Sequence, residues 1–138
     1  MDFGKLLLSP RGRIGRGRFW IGFLVIMAAS LALNLIPGEI GRWLGFVLLW
    51  PQICINFKRL HDMGKSGWLL LIPAAVSIVC LALSFVLGSG AEAYPNQEAL
   101  APLAAAGAFS LAFLLWVGLS PGKPGANRFG PSPQGAGG

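Results

Sequence analysis

The sequence predicts an all-α integral membrane protein: a single membrane domain over residues 1–138, folded as an antiparallel four-helix bundle with both termini cytoplasmic. Three observations predict it. Hydrophobic residues make up 54% of the chain and charged residues 12%, about half the roughly 25% charged share of soluble domains. Four apolar runs each approach the ~20 residues that a helix needs to cross a bilayer. Lysine and arginine fall on alternate sides of those runs, the pattern of the positive-inside rule.

The first run is Phe19–Ile36, 18 residues without a charge. A signal-peptide core is shorter, roughly 7–15 residues, and is followed by a small-residue cleavage site and a polar region. Neither follows here, so the run reads as a span. The second run, Ile40–Phe57, carries Arg42 near its start and Pro51 inside. Arg42 is expected to snorkel to the headgroups, and Pro51 to kink the helix, as Pro73 does in the third. The third run is Trp68–Gly88 and the fourth Ala99–Leu119, both uncharged. The connections Pro37–Glu39, Lys58–Gly67 and Ser89–Glu98 are short, which makes sequential helices antiparallel. The tail, residues 120–138, is rich in Gly and Pro and reads as irregular. Small residues at spacing four (Ala104, Ala108 and Ala112 beside Gly107; Ala28 and Ala32) offer faces where helices approach closely. Cys54 and Cys80 both lie in apolar runs and read as small core hydrophobes, with no metal-ligand or disulfide spacing.

The charge count sets the orientation. Lys5, Arg11, Arg13, Arg16 and Arg18 precede the first run; Lys58, Arg59 and Lys65 follow the second; Lys123 and Arg128 follow the fourth. The opposite side holds only Arg42, with Glu92 and Glu98 in the last loop. Ten cations on one side and one on the other predict cytoplasmic N- and C-termini. The same placement explains the net charge of +6 as a membrane-surface feature worth about 1 kcal/mol per cation at an anionic leaflet. No nucleic acid is expected as partner. Phe19 and Trp20, next to Arg18, read as interfacial anchors.

Residues 59–68, RLHDMGKSGW, concentrate the polar chemistry. A P-loop needs a Gly five positions before the Gly of Gly-Lys-Ser; that position is Arg59. A catalytic relay through His61, Asp62 and Ser66 lacks a second His and any carboxylate inside a run. No catalytic residues, metal or cofactor are therefore expected. Two compatible readings remain open. Gly64 and Gly67 permit a tight turn that locks helix ends, with Asp62 paired to Arg59 or Lys65. Alternatively, Arg59 and Lys65 with free helix N–H groups bind phosphate, and lipid headgroups are the most abundant phosphates at that depth.

Three motifs carry a resemblance. Gly12–Trp20 (GRIGRGRFW), Arg59–Trp68 (RLHDMGKSGW) and Gly122–Pro133 (GKPGANRFGPSP) occur in the order seen in the domain of unknown function 805 family, small bacterial inner-membrane proteins of the YhaH-like type, which the chain resembles over nearly its whole length. Leu69, Ser132 and Arg18 depart from the family pattern, which has a second Trp, an acid, and an acidic or polar residue at those places. The resemblance implies an integral inner-membrane protein and no agreed activity. All three motifs fall on the side that the charge count makes cytoplasmic. This leads to an expected composite cluster of Arg13, Arg16, Arg59, His61, Asp62, Lys65, Asn127 and Arg128, serving as an anion or lipid site or as a structural lock. Gly125 and Gly130 would let the tail fold back over it.

The function expected from the sequence is non-enzymatic. It is an inner-membrane protein that binds anionic lipid headgroups or a protein partner at its cytoplasmic face and supports envelope integrity. The partners expected are membrane lipids, with a homo-oligomer or a membrane protein beside them. The alternative is a subunit of a small transporter or channel, with Asn34 and Gln52 as the polar groups available to a pathway.

Overall fold

The computed structural model describes residues 3–36, 39–88 and 97–133, excluding the side chains of Phe3, Arg42, Gln97 and Glu98. The predicted loop residues Pro37, Gly38 and 89–96, and the snorkelling of Arg42, lie outside that description. Among the described residues six α-helices run α1 (Phe3–Leu8), α2 (Arg16–Asn34), α3 (Glu39–Val47), α4 (Leu49–Asp62), α5 (Leu71–Gly88) and α6 (Gln97–Leu119), with a 3₁₀ turn at Gly67–Leu70 before α5. There is no strand among the described residues; one isolated bridge pairs Asn127 with Gly130. The described residues fall into two compact units, one from Met1–Leu69 with Val117–Gly138 and one from Leu70–Trp116.

Among the described residues, three helical segments are long and apolar enough to cross a membrane: Arg16–Asn34, Gly67–Gly88 and Ala99–Leu119. They correspond to the first, third and fourth runs. Their surfaces are inverted relative to a soluble protein. Only 6% of the most apolar window of Gly67–Gly88 is buried, and Ile78, Leu81 and Phe85 are mostly exposed. In water such continuous apolar surface would drive aggregation; in lipid it is the solvated face.

The second run is built differently from the expectation. It is two helices, α3 and α4, joined at Leu48, and neither reaches the length of the three segments above. The reason is the place of Pro51. A proline lacks the N–H that would bond four residues back, which leaves Val47 as the last residue of α3. Pro51 is then the third residue of α4, where an unpaired N–H is normal. Pro73 likewise sits third in α5. Both prolines start helices rather than kink them.

α4 also runs on past Phe57 to Asp62, so Lys58–Asp62, expected in a connection, is the last turn of a helix. Among the described residues this charged helix supplies more buried residues than any other helix: Cys54, Ile55, Asn56, Lys58, Arg59, Leu60 and Asp62. In the first unit α4 packs on α1, α2 and α3. α2 turns Phe19, Gly22 and Ile26 inward, and Gly22 lies against Ile55 and Leu6. Phe19 is fully buried and meets Trp20 edge-on at 5.5 Å, so it is a core residue rather than an interfacial anchor. A six-residue helix such as α1 is too short to persist alone. Its carbonyl end is held by α4: the Lys58 ammonium donates to Lys5 O and to Leu6 O at 3.0 Å, and the Trp50 indole donates to Leu8 O at 3.1 Å.

In the second unit the end of α5 lies beside the start of α6. The Ser84 hydroxyl donates to Ala99 O, and Gly88 faces the Ala99 methyl. Within this unit the buried residues of α6 are Ala99, Pro102 and Ala106; Ala104, Gly107, Ala108 and Ala112 are exposed, as are Ala28 and Ala32 on α2. The small-residue faces expected to pack are thus open in this chain. Spacing four alone does not tell an inward face from an outward one in a helix that is apolar all round.

Candidate functional site

The site lies in the first unit, where the segment before α2, the end of α4 and the tail after α6 meet. Its local cause is the end of α4. Gly64 adopts φ +72°, the left-handed conformation that stops a helix. Its N–H donates to His61 O at 3.0 Å and the next N–H, of Lys65, to Leu60 O at 2.8 Å, the two bonds of a Schellman cap. The chain therefore turns off sharply after Asp62 and leaves its side chain facing the tail.

Asp62 receives two guanidinium groups. Arg59, one turn earlier on α4, approaches with Nη1 at 2.5 Å from Oδ2, and Arg13 with Nη2 at 3.0 Å from Oδ1. All three side chains are at most 5% exposed. The rest of the donor capacity goes to backbone carbonyls. Arg13 Nε also bonds Asp62 Oδ1 at 3.1 Å, Nη1 donates to Gly125 O at 2.7 Å and Gly130 O at 3.3 Å, and Nη2 to Lys123 O at 2.6 Å and Asp62 O at 3.4 Å. An arginine has five N–H donors, and this set occupies them all. Arg59 donates from Nε to Val117 O at 3.0 Å, from Nη1 to Ile14 O at 3.4 Å, and from Nη2 to Ser120 O. Burial pulls the Arg59 guanidinium below its usual pKa, the charge and hydrogen bond of Asp62 oppose that, and Arg16 adds a smaller push down; an arginine so paired stays charged.

The tail closes over the same carboxylate. Lys123 N donates to Asp62 O at 2.8 Å. Gly122 passes so close that a Cβ there would land on the Asp62 carboxylate, so only glycine fits. Beyond it, Asn127 Nδ2 donates to His61 O at 2.9 Å, and Asn127 Oδ1 accepts from Phe129 N at 2.9 Å. Phe129 stacks on the His61 ring at 3.8 Å and 7°, with the Arg128 guanidinium 4.7 Å from the Phe129 ring centre.

Of the cluster read from the sequence, Arg13, Arg59, His61, Asp62 and Asn127 come together, and Arg128 joins through Phe129. Arg16 and Lys65 are exposed at the periphery. Arg16 reaches Leu119 O at 3.5 Å and, with Lys123, lines a cavity of about 80 Å³ beside the Arg59–Asp62 pair. Lys65 contributes its backbone N–H to the cap. Sequence reasoning missed Gly122 and Phe129, whose spacing within the third motif was the available signal. It also missed the carbonyls of Ile14, Val117, Ser120 and Lys123, which no side-chain pattern announces.

His61 gives the site a pH dependence. Its Nδ1 lies 3.3 Å from Gly12 O, and a carbonyl only accepts, so Nδ1 carries a hydrogen. Burial lowers the pKa from its usual 6.5, the Gly12 hydrogen bond opposes this, and the Arg128 charge lowers it further. Below 6.5 an unfolded His61 takes up a proton before the folded one does, so stability is lost as pH falls. This contribution is complete above 6.5 and disappears as pH drops through the depressed folded value. The melting temperature in detergent should fall between about pH 7.5 and 5.5, and His61→Gln should flatten that slope.

The chain is similar to two proteins of Escherichia coli K12. It is 38% identical over 82 residues to the uncharacterized protein YiiR, a match covering 54% of this chain and 56% of that protein. It therefore spans little more than half of YiiR's length. It is 25% identical over 145 residues to the inner membrane protein YhaH, covering 94% of this chain and 91% of that one. No solved structure matches. With a relative named as an inner membrane protein and three helical segments fit to cross a bilayer, the chain is an integral membrane protein. Residues 7–131 match the family described as protein of unknown function (DUF805), and the chain belongs to that family.

Proposed function

We propose that the protein is a non-enzymatic component of the bacterial inner membrane, with both termini cytoplasmic, whose basic cytoplasmic face engages anionic lipid headgroups and so supports envelope integrity. The observation that carries the reading is the Arg13–Asp62–Arg59 knot. It joins the segment just before α2, the end of α4 and the chain just after α6. Segments joined at one polar site lie on one side of a bilayer, so the N-terminal segment and the tail share a side. α2 leaves that site and spans about 28 Å at 1.5 Å per residue. α3 and α4 return along it, so the broken pair makes the return crossing. The cations beyond the knot, among them Arg11, Arg16, Arg18 and Lys123, share this face, and cations favour the cytoplasmic leaflet.

Accessibility tests the orientation. Ser9→Cys and Ala126→Cys, each in a chain with Cys54→Ala and Cys80→Ala, should react with a membrane-impermeant maleimide in inside-out vesicles and not in intact spheroplasts. Reaction of the two sites from opposite sides, or of both from outside, would overturn the topology and with it the shared face.

A further inference from the structure

The knot has little left to offer an anion, since the Arg13 donors are all engaged and Arg59 is fully buried. A second basic feature lies beside it in the same unit. A cleft of about 230 Å³ opens between α1, the segment Ser9–Ile14 and the first turn of α2, with α4 behind. Lys5, Arg11, Arg13, Arg18 and Lys58 line it, and no carboxylate does among the described residues. Lys58 is 4% exposed, and its bonds go to backbone carbonyls rather than to a counter-ion. Arg11 and Arg18 are exposed at the mouth. Arg13 is already paired with Asp62, but Arg11, Arg18 and Lys58 bring like charges to one small space, and an anion seated among them is attracted by all three. Arg18 immediately precedes Phe19, so the mouth sits where the first crossing segment enters the bilayer, at the depth of lipid phosphates.

We propose that this cleft seats one phosphate group, with Arg11 and Arg18 as the arms that grip it and Lys58 as the cation at its base. The shared chemistry is that of an anionic lipid headgroup and of free phosphate. The inference rests on the lipid-binding reading above and names a site for it, built mainly from residues outside the knot. Guanidinium suits phosphate because its planar fork donates two parallel hydrogen bonds. Arg13, paired with Asp62, lines the wall without gripping the anion.

The test compares wild type, Arg11→Gln with Arg18→Gln, and, as a charge-matched control, Arg42→Gln, a cation that the charge count sets on the opposite side, all purified in neutral detergent. Native mass spectrometry reads retention of short-chain phosphatidylglycerol; phosphorus NMR reads binding of inorganic phosphate. Two interfacial charges at about 1 kcal/mol each predict a roughly thirtyfold loss of phosphatidylglycerol affinity in the double variant, with Arg42→Gln unchanged. Arg11→Gln alone should lose about fivefold, which keeps the test open if the double variant misfolds. Loss of inorganic phosphate binding with lipid retained would support the cleft with a soluble phosphate as its ligand. Wild-type lipid and phosphate binding by folded variants would overturn the cleft and leave lipid binding to another surface. A wild type that retains neither would overturn both this site and the reading on which it rests.

Discussion

Asp62→Ala is expected to destabilise the protein by about 3–5 kcal/mol, the range for removing one partner of a buried ion pair. Asp62 is the single carboxylate between two guanidinium groups, each at most 1% exposed. Without it, two like charges face each other in a site closed to solvent. Asp62→Asn keeps the shape, yet its amide turns two donors toward groups that only donate, so most of the loss should persist. The measurement is denaturant unfolding in detergent micelles, read beside amide exchange at Lys123, whose N–H bonds the Asp62 carbonyl. Replacing all three charged groups by apolar residues is often harmless for a simple buried pair. Here it should not be. The two arginines also hold seven backbone carbonyls, of Ile14, Asp62, Val117, Ser120, Lys123, Gly125 and Gly130; an apolar triad would take the arginine donors from all seven, and of these Asp62 O and Gly130 O keep the N–H groups of Lys123 and Asn127. A stable triple variant would show that these carbonyls find other donors.

The split between legible and illegible features follows from which groups do the bonding. α2, α5 and α6 could be read from the chain because a crossing helix is announced by length and missing charge. The meeting of Arg13, Arg59, Asp62 and Asn127 could be read because charge asymmetry and motif order both pointed to one side. The continuation of α4 through Lys58–Asp62 could not. A run of charges next to an apolar stretch reads as a solvated loop, and here it is buried because backbone carbonyls of α1, of Ile14, of the end of α6 and of Ser120 satisfy its cations. Carbonyls are present at every residue and leave no mark in the sequence. The break at Leu48 was legible in principle from Pro51, had the proline been read as an early residue of a new helix. The open faces of Ala28, Ala32, Ala104, Ala108 and Ala112 were illegible for another reason: in lipid, apolar residues point inward and outward alike.

Arg59→Lys tests whether charge or geometry holds the knot. The substitution keeps the cation near Asp62 and loses the fork. Arg59 addresses three separate stretches of chain from three nitrogens: Ile14 O and Asp62 from Nη1, Val117 O from Nε, and Ser120 O from Nη2. A lysine ammonium is a single point on a flexible stem and can satisfy the carboxylate or the carbonyls, not both sets. Leaving two buried carbonyls without donors, at about 1–3 kcal/mol each, sets an expected loss of about 3 kcal/mol. The loss should also be local. Arg59 holds the end of α6 at Val117 and Ser120, whereas Arg13 holds the tail at Lys123, Gly125 and Gly130. Amide exchange should therefore rise first around 117–121 in Arg59→Lys and first around 123–130 in Arg13→Lys, while Arg16→Lys, with one exposed bond of 3.5 Å, changes neither. If both knot variants loosen the same amides to the same extent, the two arginines act as interchangeable charges, and the carbonyl geometry is not what fixes the tail over Asp62.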